Sequence, residues 1–293
     1  SFTEERIPLL NILSAIKTTT KKMAGRLFQN EKAAEPTYST QLYYPREGLM
    51  IFFNCLKETI IENNGIIHLN SKIGNLQIID NKARTISFES DGIIQSVDCD
   101  YVISTIPINE LIMTLTPNVE ESIYSVANSL RFRALIFVNL LVERDEVFEA
   151  QWIYFRNSTF NRVSEMNKFS REIVPEGKSA LVAEITCNKG DEIWDADEGD
   201  LCERVIKELE EEGIISRDEI IDAFVTRKEH GYPVADLDFE RNRKELYDYV
   251  NSIDNVFVTG RQGLFRYLQM DHCMKLGYSI ADQILSETPK ITS

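Results

Sequence analysis

The sequence predicts an α/β fold built on a mixed sheet with flanking helices. Three observations carry that expectation: a run of short β-rich stretches broken by turn residues between positions 66 and 97, a near-continuous apolar stretch at 101–107, and an alternation of strand-like and helix-like segments from Leu135 onward. Each element has its own signal. At 4–28, Ile7, Leu10, Ile16 and Leu27 fit a helix, followed by a polar loop at 29–40. Leu49, Phe52, Phe53, Leu56 and Ile60 stand at i, i+3, i+4, i+7 and i+11, and Asn64 with Gly65 supplies a stop, so a helix is expected there. The stretches 66–69, 73–79, 85–88 and 93–97, separated by Asn-Ser, Asp-Asn and Asp-Gly, predict an antiparallel meander. The stretch 101–107, closed by Pro107, predicts a strand buried on both faces of a sheet.

The second half repeats the alternation. Strands are expected at 135–142, 152–155, 162–166 and 180–186; Leu201, Val205 and Leu209 predict an amphipathic helix over 198–212 with Gly213 as its stop. A strand at 220–226, a helix at 239–250 and a short strand at 256–259 follow, and the last helix carries Met270, Met274, Gly277, Ala281 and Ile284 on one face. No internal repeat or low-complexity linker divides the chain, which points to interleaved domains crossed more than once.

Composition bounds the function. The chain has 293 residues, 43% of them hydrophobic, with 32 Lys plus Arg against 47 Asp plus Glu and a net charge of −15. At about 150 residues per domain this is enough for two cores. Disorder and fibrous repeats are not supported. The excess acid argues against general affinity for nucleic acid or anionic lipid, while leaving room for a local basic pocket. Five cysteines without a C-x-x-C pair form a reducing-compartment pattern, with neither a disulfide framework nor a metal site, and a cytoplasmic location is expected. The longest apolar stretch, 134–142, contains Asn139 and falls well short of a membrane span of about 20 residues.

The sharpest chemical signal is the strand at 256–259 running into Gly260, Arg261 and Gly263, then Arg266, Tyr267, Met270 and Asp271, with a helix beyond. Glycines at a strand end let backbone approach a ligand closely, and the arginines with Tyr267 offer donors to a diphosphate. Against this stands a plain glycine turn whose arginines pair with some of the many acids. His272 beside Asp271 reads as a capping or hydrogen-bonding residue, and Cys273 as a structural thiol. The acids between 191 and 212 read as solvated faces and helix-start acids rather than a calcium loop.

The run Gly260, Arg261, Gly263, Arg266, Tyr267, Met270 and Asp271 resembles the C-terminal flavin-contacting segment of the FAD-dependent amine oxidase-like superfamily, protoporphyrinogen oxidases included, and most of all that of UDP-galactopyranose mutases. Phe132 to Phe137, Trp152 to Ser170 and Gly231, Tyr232, Pro233 agree in the same order, as do the stretches from Tyr44 to Gly48 and from Asp100 to Pro107. The resemblance implies a mixed-sheet substrate domain joined to parts of an FAD/NAD(P)-binding Rossmann-like domain, divided as helices and meander at 1–100, a substrate-binding sheet domain at 101–254 and a flavin-contacting strand and helix at 255–293. It implies FAD as cofactor, met by Ile73, Gly260, Arg261, Met270 and Asp271, and a small-molecule substrate, a UDP-sugar by this likeness, met by Arg162, Tyr232 and Tyr267. The chemistry would lie on the flavin. Two departures stand out: Gln269 replaces the acid that mutases carry two residues after the tyrosine, and no G-x-G-x-x-G turn occurs in these residues. With Ser1 at the start, the expectation is the C-terminal portion of a longer flavoprotein, inactive by itself and weak in FAD binding. A flavin oxidase and a non-catalytic recognition module are the alternatives.

Overall fold

The structure is a computed structural model that describes residues 43–286. The helix expected at 4–28 and the loop at 29–40 lie outside the described residues. In chain order the elements are helix α1 (Met50–Glu62), strands β1 (Ser71–Ile79), β2 (Lys82–Ser90), β3 (Ile93–Asp98) and β4 (Val102–Ser104), helix α2 (Ile108–Thr114), strand β5 (Leu115–Thr116), helix α3 (Glu121–Ser129), and strands β6 (Phe132–Val142), β7 (Trp152–Tyr154), β8 (Arg162–Glu165) and β9 (Ser179–Cys187). Helix α4 (Glu198–Glu211), strand β10 (Ile220–Pro233), helix α5 (Phe239–Asn251), strand β11 (Val256–Val258), the short helix α6 (Gly260–Gly263) and helix α7 (Met270–Leu285) complete it. The chain is a mixed α/β protein.

The expected meander forms. β1, β2 and β3 pair antiparallel, and Asp80 with Asn81, then Asp91 with Gly92, take positive φ in the two tight turns. Helix α1 closes where expected: Asn64 has φ 62°, and the Gly65 amide donates to the Ile60 carbonyl at 2.8 Å. Residues 66–69 are not a strand. Among the described residues no strand flanks them, and extended backbone without a ladder partner does not make a sheet. The stretch at 101–107 yields only the three-residue β4, paired in parallel with β11; Val102 and Ser104 are buried but Ile103 is half exposed, so one face is open where two buried faces were expected.

Two cores result. The first lies between the five-stranded sheet, ordered β10-β6-β9-β8-β7, and helix α4. On β6, Ala134, Ile136, Val138, Leu140 and Val142 point at α4, whose Leu201, Cys202, Val205, Ile206 and Leu209 make the facing stripe. Asp197 caps that helix by accepting from the Gly199 amide, and Gly213 at φ 71° ends it, with the Ile214 amide reaching back to the Leu209 carbonyl. The second core joins distant parts of the chain: Leu76 and Ala83 from the meander, Val102, Ile108, Leu111 and Ile112, then Phe239, Leu246, Val250, Val256 and Phe265. Asn255 ties these parts, its side chain bonding the Ala83 amide and carbonyl and the Asp100 carbonyl at 2.7 to 2.9 Å.

Strand β10 is twice as long as the pattern at 220–226 suggested, because β6 offers an eleven-residue edge that continues to pair as far as Pro233 after an irregularity between Lys228 and Tyr232. That extension places Tyr232 where the site forms. Helices α2 and α3 went unread in the sequence; both are short, though Ile108, Leu111 and Ile112 carry the i, i+3, i+4 spacing of a buried face.

Candidate functional site

Two surfaces meet near the end of β10. One is the corner that follows β11. The Thr259 amide donates to the Ser104 carbonyl at 2.9 Å, continuing the parallel pairing by one residue, and Gly260 then turns with φ 77°. A Cβ on Gly263 would lie 3.1 Å from both the Ser104 carbonyl oxygen and Val258 Cγ1, so a bare backbone lets α6 press onto the strand ends. At this corner the Ser104 and Thr259 hydroxyls and Gln262 Oε1 are buried without a hydrogen-bond partner. Unsatisfied polar groups at the carboxyl ends of parallel strands mark the position where open α/β sheets take ligands. Gln262 Nε2 donates to the His230 carbonyl at 2.8 Å and Arg261 Nη2 to the Gly231 carbonyl at 3.2 Å, anchoring the corner to β10.

The other surface is the face of the five-stranded sheet turned away from α4. Alternation along the strands puts Arg162, Glu184, Phe137 and Trp152 there. Arg162 and Glu184 are register partners on β8 and β9, and their side chains form an ion pair. Glu184 is almost fully buried and also accepts from the Tyr232 hydroxyl at 3.1 Å. Burial would lower the Arg162 guanidinium, but Glu184, with Tyr232 and a hydrogen bond to Tyr154, outweighs it and holds the group above its ordinary value. Tyr232 leads on to the corner: its ring stands 5.9 Å from that of Tyr267, and the Arg261 guanidinium lies 4.3 Å from the Tyr267 ring centre and 5.4 Å from that of Tyr232. Gly231 makes the approach possible, since a Cβ there would meet Leu135 Cγ at 2.4 Å.

The structure therefore brings Arg162, Tyr232, Arg261, Tyr267 and Gly260 into one continuous contact chain. Others stand apart. Ile73 is half-buried on β1, where β5 pairs with Leu76 and Gln77 and, among the described residues, no strand continues that edge alongside Ile73. Met270 and Asp271 are exposed in the first turn of α7, whose N-cap Gln269 makes no side-chain cap. Arg266, expected to join Arg261 and Tyr267 as a donor to a diphosphate, instead lines a separate cleft of about 310 Å³ with Arg243, Lys244, Tyr247 and Leu264. Among the described residues no cluster of three metal-ligating side chains occurs, and no helix is long and apolar enough to cross a membrane.

Sequence reasoning passed over Glu184 and Tyr154. An acid at an alternating position inside the apolar stretch 180–186 was the available signal, because a carboxylate in such a strand calls for a cation. His230 Nε2 meets Glu110 at 2.8 Å and its ring packs edge-on to Phe132, so it joins β10 to α2 beside the corner.

The sequence profile described as flavin containing amine oxidoreductase matches residues 23–285. The chain belongs to this family. As a flavin containing amine oxidoreductase it is similar in fold to reduced UDP-galactopyranose mutase, at 20% identity with a TM-score of 0.72 over 84% of this chain and 54% of that one. A candidate protoporphyrinogen oxidase from Exiguobacterium sp. matches at 15% identity and TM-score 0.62, over 82% and 51% of the two chains. Wild-type putrescine oxidase bound to putrescine matches at 13% and 0.61, over 82% and 53%. No curated protein matches by sequence. The family chain described here thus spans about half the length of the structures it resembles, and flavin is the cofactor of its family.

Proposed function

We propose that this chain is the substrate-recognition part of an FAD-dependent enzyme that acts on a sugar nucleotide, UDP-galactopyranose being the substrate to test first. The carrying observation is the contact chain from Arg162 through Glu184, Tyr232 and Arg261 to Tyr267, which joins the open sheet face to the glycine corner. The residues fit a flavin at that corner: the glycines admit a close ligand, and the unpartnered Ser104, Thr259 and Gln262 groups supply polar contacts. Gly260 and Arg261 would hold the cofactor there, with Ile73, Met270 and Asp271 as further contacts. When bound, FAD supplies the redox or nucleophilic chemistry. The chain's own residues then orient the substrate. Arg162 presents directed N–H groups, Tyr232 and Tyr267 present phenol oxygens, and Trp152, stacked on Phe169, walls the sheet face with apolar surface.

The helices and meander at 1–100 would then serve both substrate and cofactor, the sheet domain at 101–254 the substrate, and the strand and helix at 255–293 the flavin. The test is turnover of UDP-galactopyranose to the furanose by the full-length protein in its reduced, flavin-loaded form. Furanose formation supports the reading, and its absence with flavin intact counts against it. Amine oxidation, the activity that the family's description names, is the second reading; oxidation of a primary amine by the same preparation would select it.

A further inference from the structure

The pairing of Arg162 with Glu184 changes what Arg162 can offer a ligand. A free guanidinium on an open sheet face would draw anions by charge and turn to meet them. Arg162 can do neither. Its Nη2 is engaged by Glu184 Oε2, its Nε is buried, and the carboxylate's other oxygen is held by the Tyr232 hydroxyl from the far side of β6. Glu184 is 2% exposed and Arg162 29%, so the negative charge lies beneath the guanidinium, which is the part that faces out. An anion arriving at Arg162 would find the acid directly behind it, and the pair together carry no net charge.

We propose that Glu184 is the specificity-determining residue of this face: it cancels the charge of Arg162 and fixes its direction, so that Arg162 meets a ligand as an oriented donor rather than as a free cation. The proposal rests on the reading that ligand binds on this sheet face, and it assigns the charge-based grip on an anion to Arg261, which has aromatic rings beside it. Ligands would then be sorted at Arg162 by hydrogen-bond geometry. Removing the carboxylate while keeping its shape should release a latent anion site.

Pyrophosphate binding to the 293-residue chain, followed by calorimetry at low ionic strength, tests this. E184Q is expected to bind pyrophosphate at least about tenfold more tightly than the wild type, a change of about 1.4 kcal/mol, and R162Q/E184Q is expected to lose the gain. Unchanged or weaker binding by E184Q overturns the proposal, as does a gain that survives in the double variant, since that gain would belong to another site such as the cleft of Arg243, Lys244 and Arg266. Where E184Q does not fold, the charge-neutral R162Q/E184Q carries the test. Affinity within twofold of wild type supports a masked arginine, whereas a tenfold loss shows that Arg162 already grips the anion and overturns it. Failure of UDP-galactopyranose turnover with this result intact would remove the proposed substrate and leave the role of Glu184 standing.

Discussion

Asn255 and Gly231 show how single positions hold this molecule together. Asn255 satisfies three backbone groups from two other segments inside the second core. N255A removes these bonds, and at about 1 kcal/mol or more for each buried group left unsatisfied a loss of at least about 3 kcal/mol is expected, measured by urea unfolding. Gly231 has no room for a side chain against Leu135 and the Arg133 carbonyl. G231A should force the end of β10 off β6, lowering stability by roughly 1–3 kcal/mol as overpacking does; a midpoint equal to wild type would show that the strand relaxes freely. The cysteines add a dependence on pH. Cys187 and Cys202 are raised above the ordinary thiol value, first by burial and then by nearby acids, Asp191 for the one and Glu198 for the other. A raised folded pKa keeps these thiols protonated in the folded chain while the unfolded chain ionises at the ordinary value. Their contribution is therefore complete below about pH 8.5 and is lost as pH rises through the folded values. Unfolding free energy should decline above pH 9, and a thiol reagent at pH 8 should modify the exposed Cys55 well before either buried thiol.

At the scale of elements, α4 is the part whose sequence and packing agree best. Its cap, its stripe and its Gly213 stop all follow from local rules, and the five-stranded sheet supplies the surface that the stripe needs. L209A, at a fully buried position, should cost roughly 2–5 kcal/mol through lost contacts and the cavity left behind, read as a drop in the urea midpoint. The parallel pair β4 and β11 is the opposite case. Two short strands with Ile103 exposed make a small ladder, and the glycine corner beyond them owes its position to Asn255, to the Thr259 amide and to the bonds from Arg261 and Gln262. The periodicity at Leu49 to Ile60 and at Met270 to Ile284 announced helices correctly, but neither α1 nor α7 has a buried residue. Periodicity reports a face that could be buried; it does not supply what buries it.

Across the whole molecule those two helices leave large apolar side chains exposed, among them Phe53, Leu56 and Ile61 on α1 and Met274, Tyr278 and Leu285 on α7. Such surface favours association. The isolated chain should show concentration-dependent sedimentation despite its charge of −15, and L56K/M274K should reduce it with the circular dichroism spectrum unchanged. Because the chain spans about half of the structures it resembles, FAD binding by the isolated chain should be weak, and stoichiometric flavin absorbance on purification would contradict this.

Local sequence specifies the hairpin turns at Asp80 and Asp91, the Asp197 cap and Gly213 stop of α4, the strand alternation of β6 and β9 and the glycine corner at Gly260, and it carries the family likeness of that corner. All depend on backbone preferences and spacings within a few residues of one another. Long-range packing settles that β10 runs to Pro233, that 66–69 has no ladder partner among the described residues, that Arg266 parts from Arg261 for another cleft, and that Glu184 lies beneath Arg162. Each of these turns on which segment distant in sequence supplies the neighbouring strand edge or the opposite charge, and periodicity along one segment carries no record of its partner.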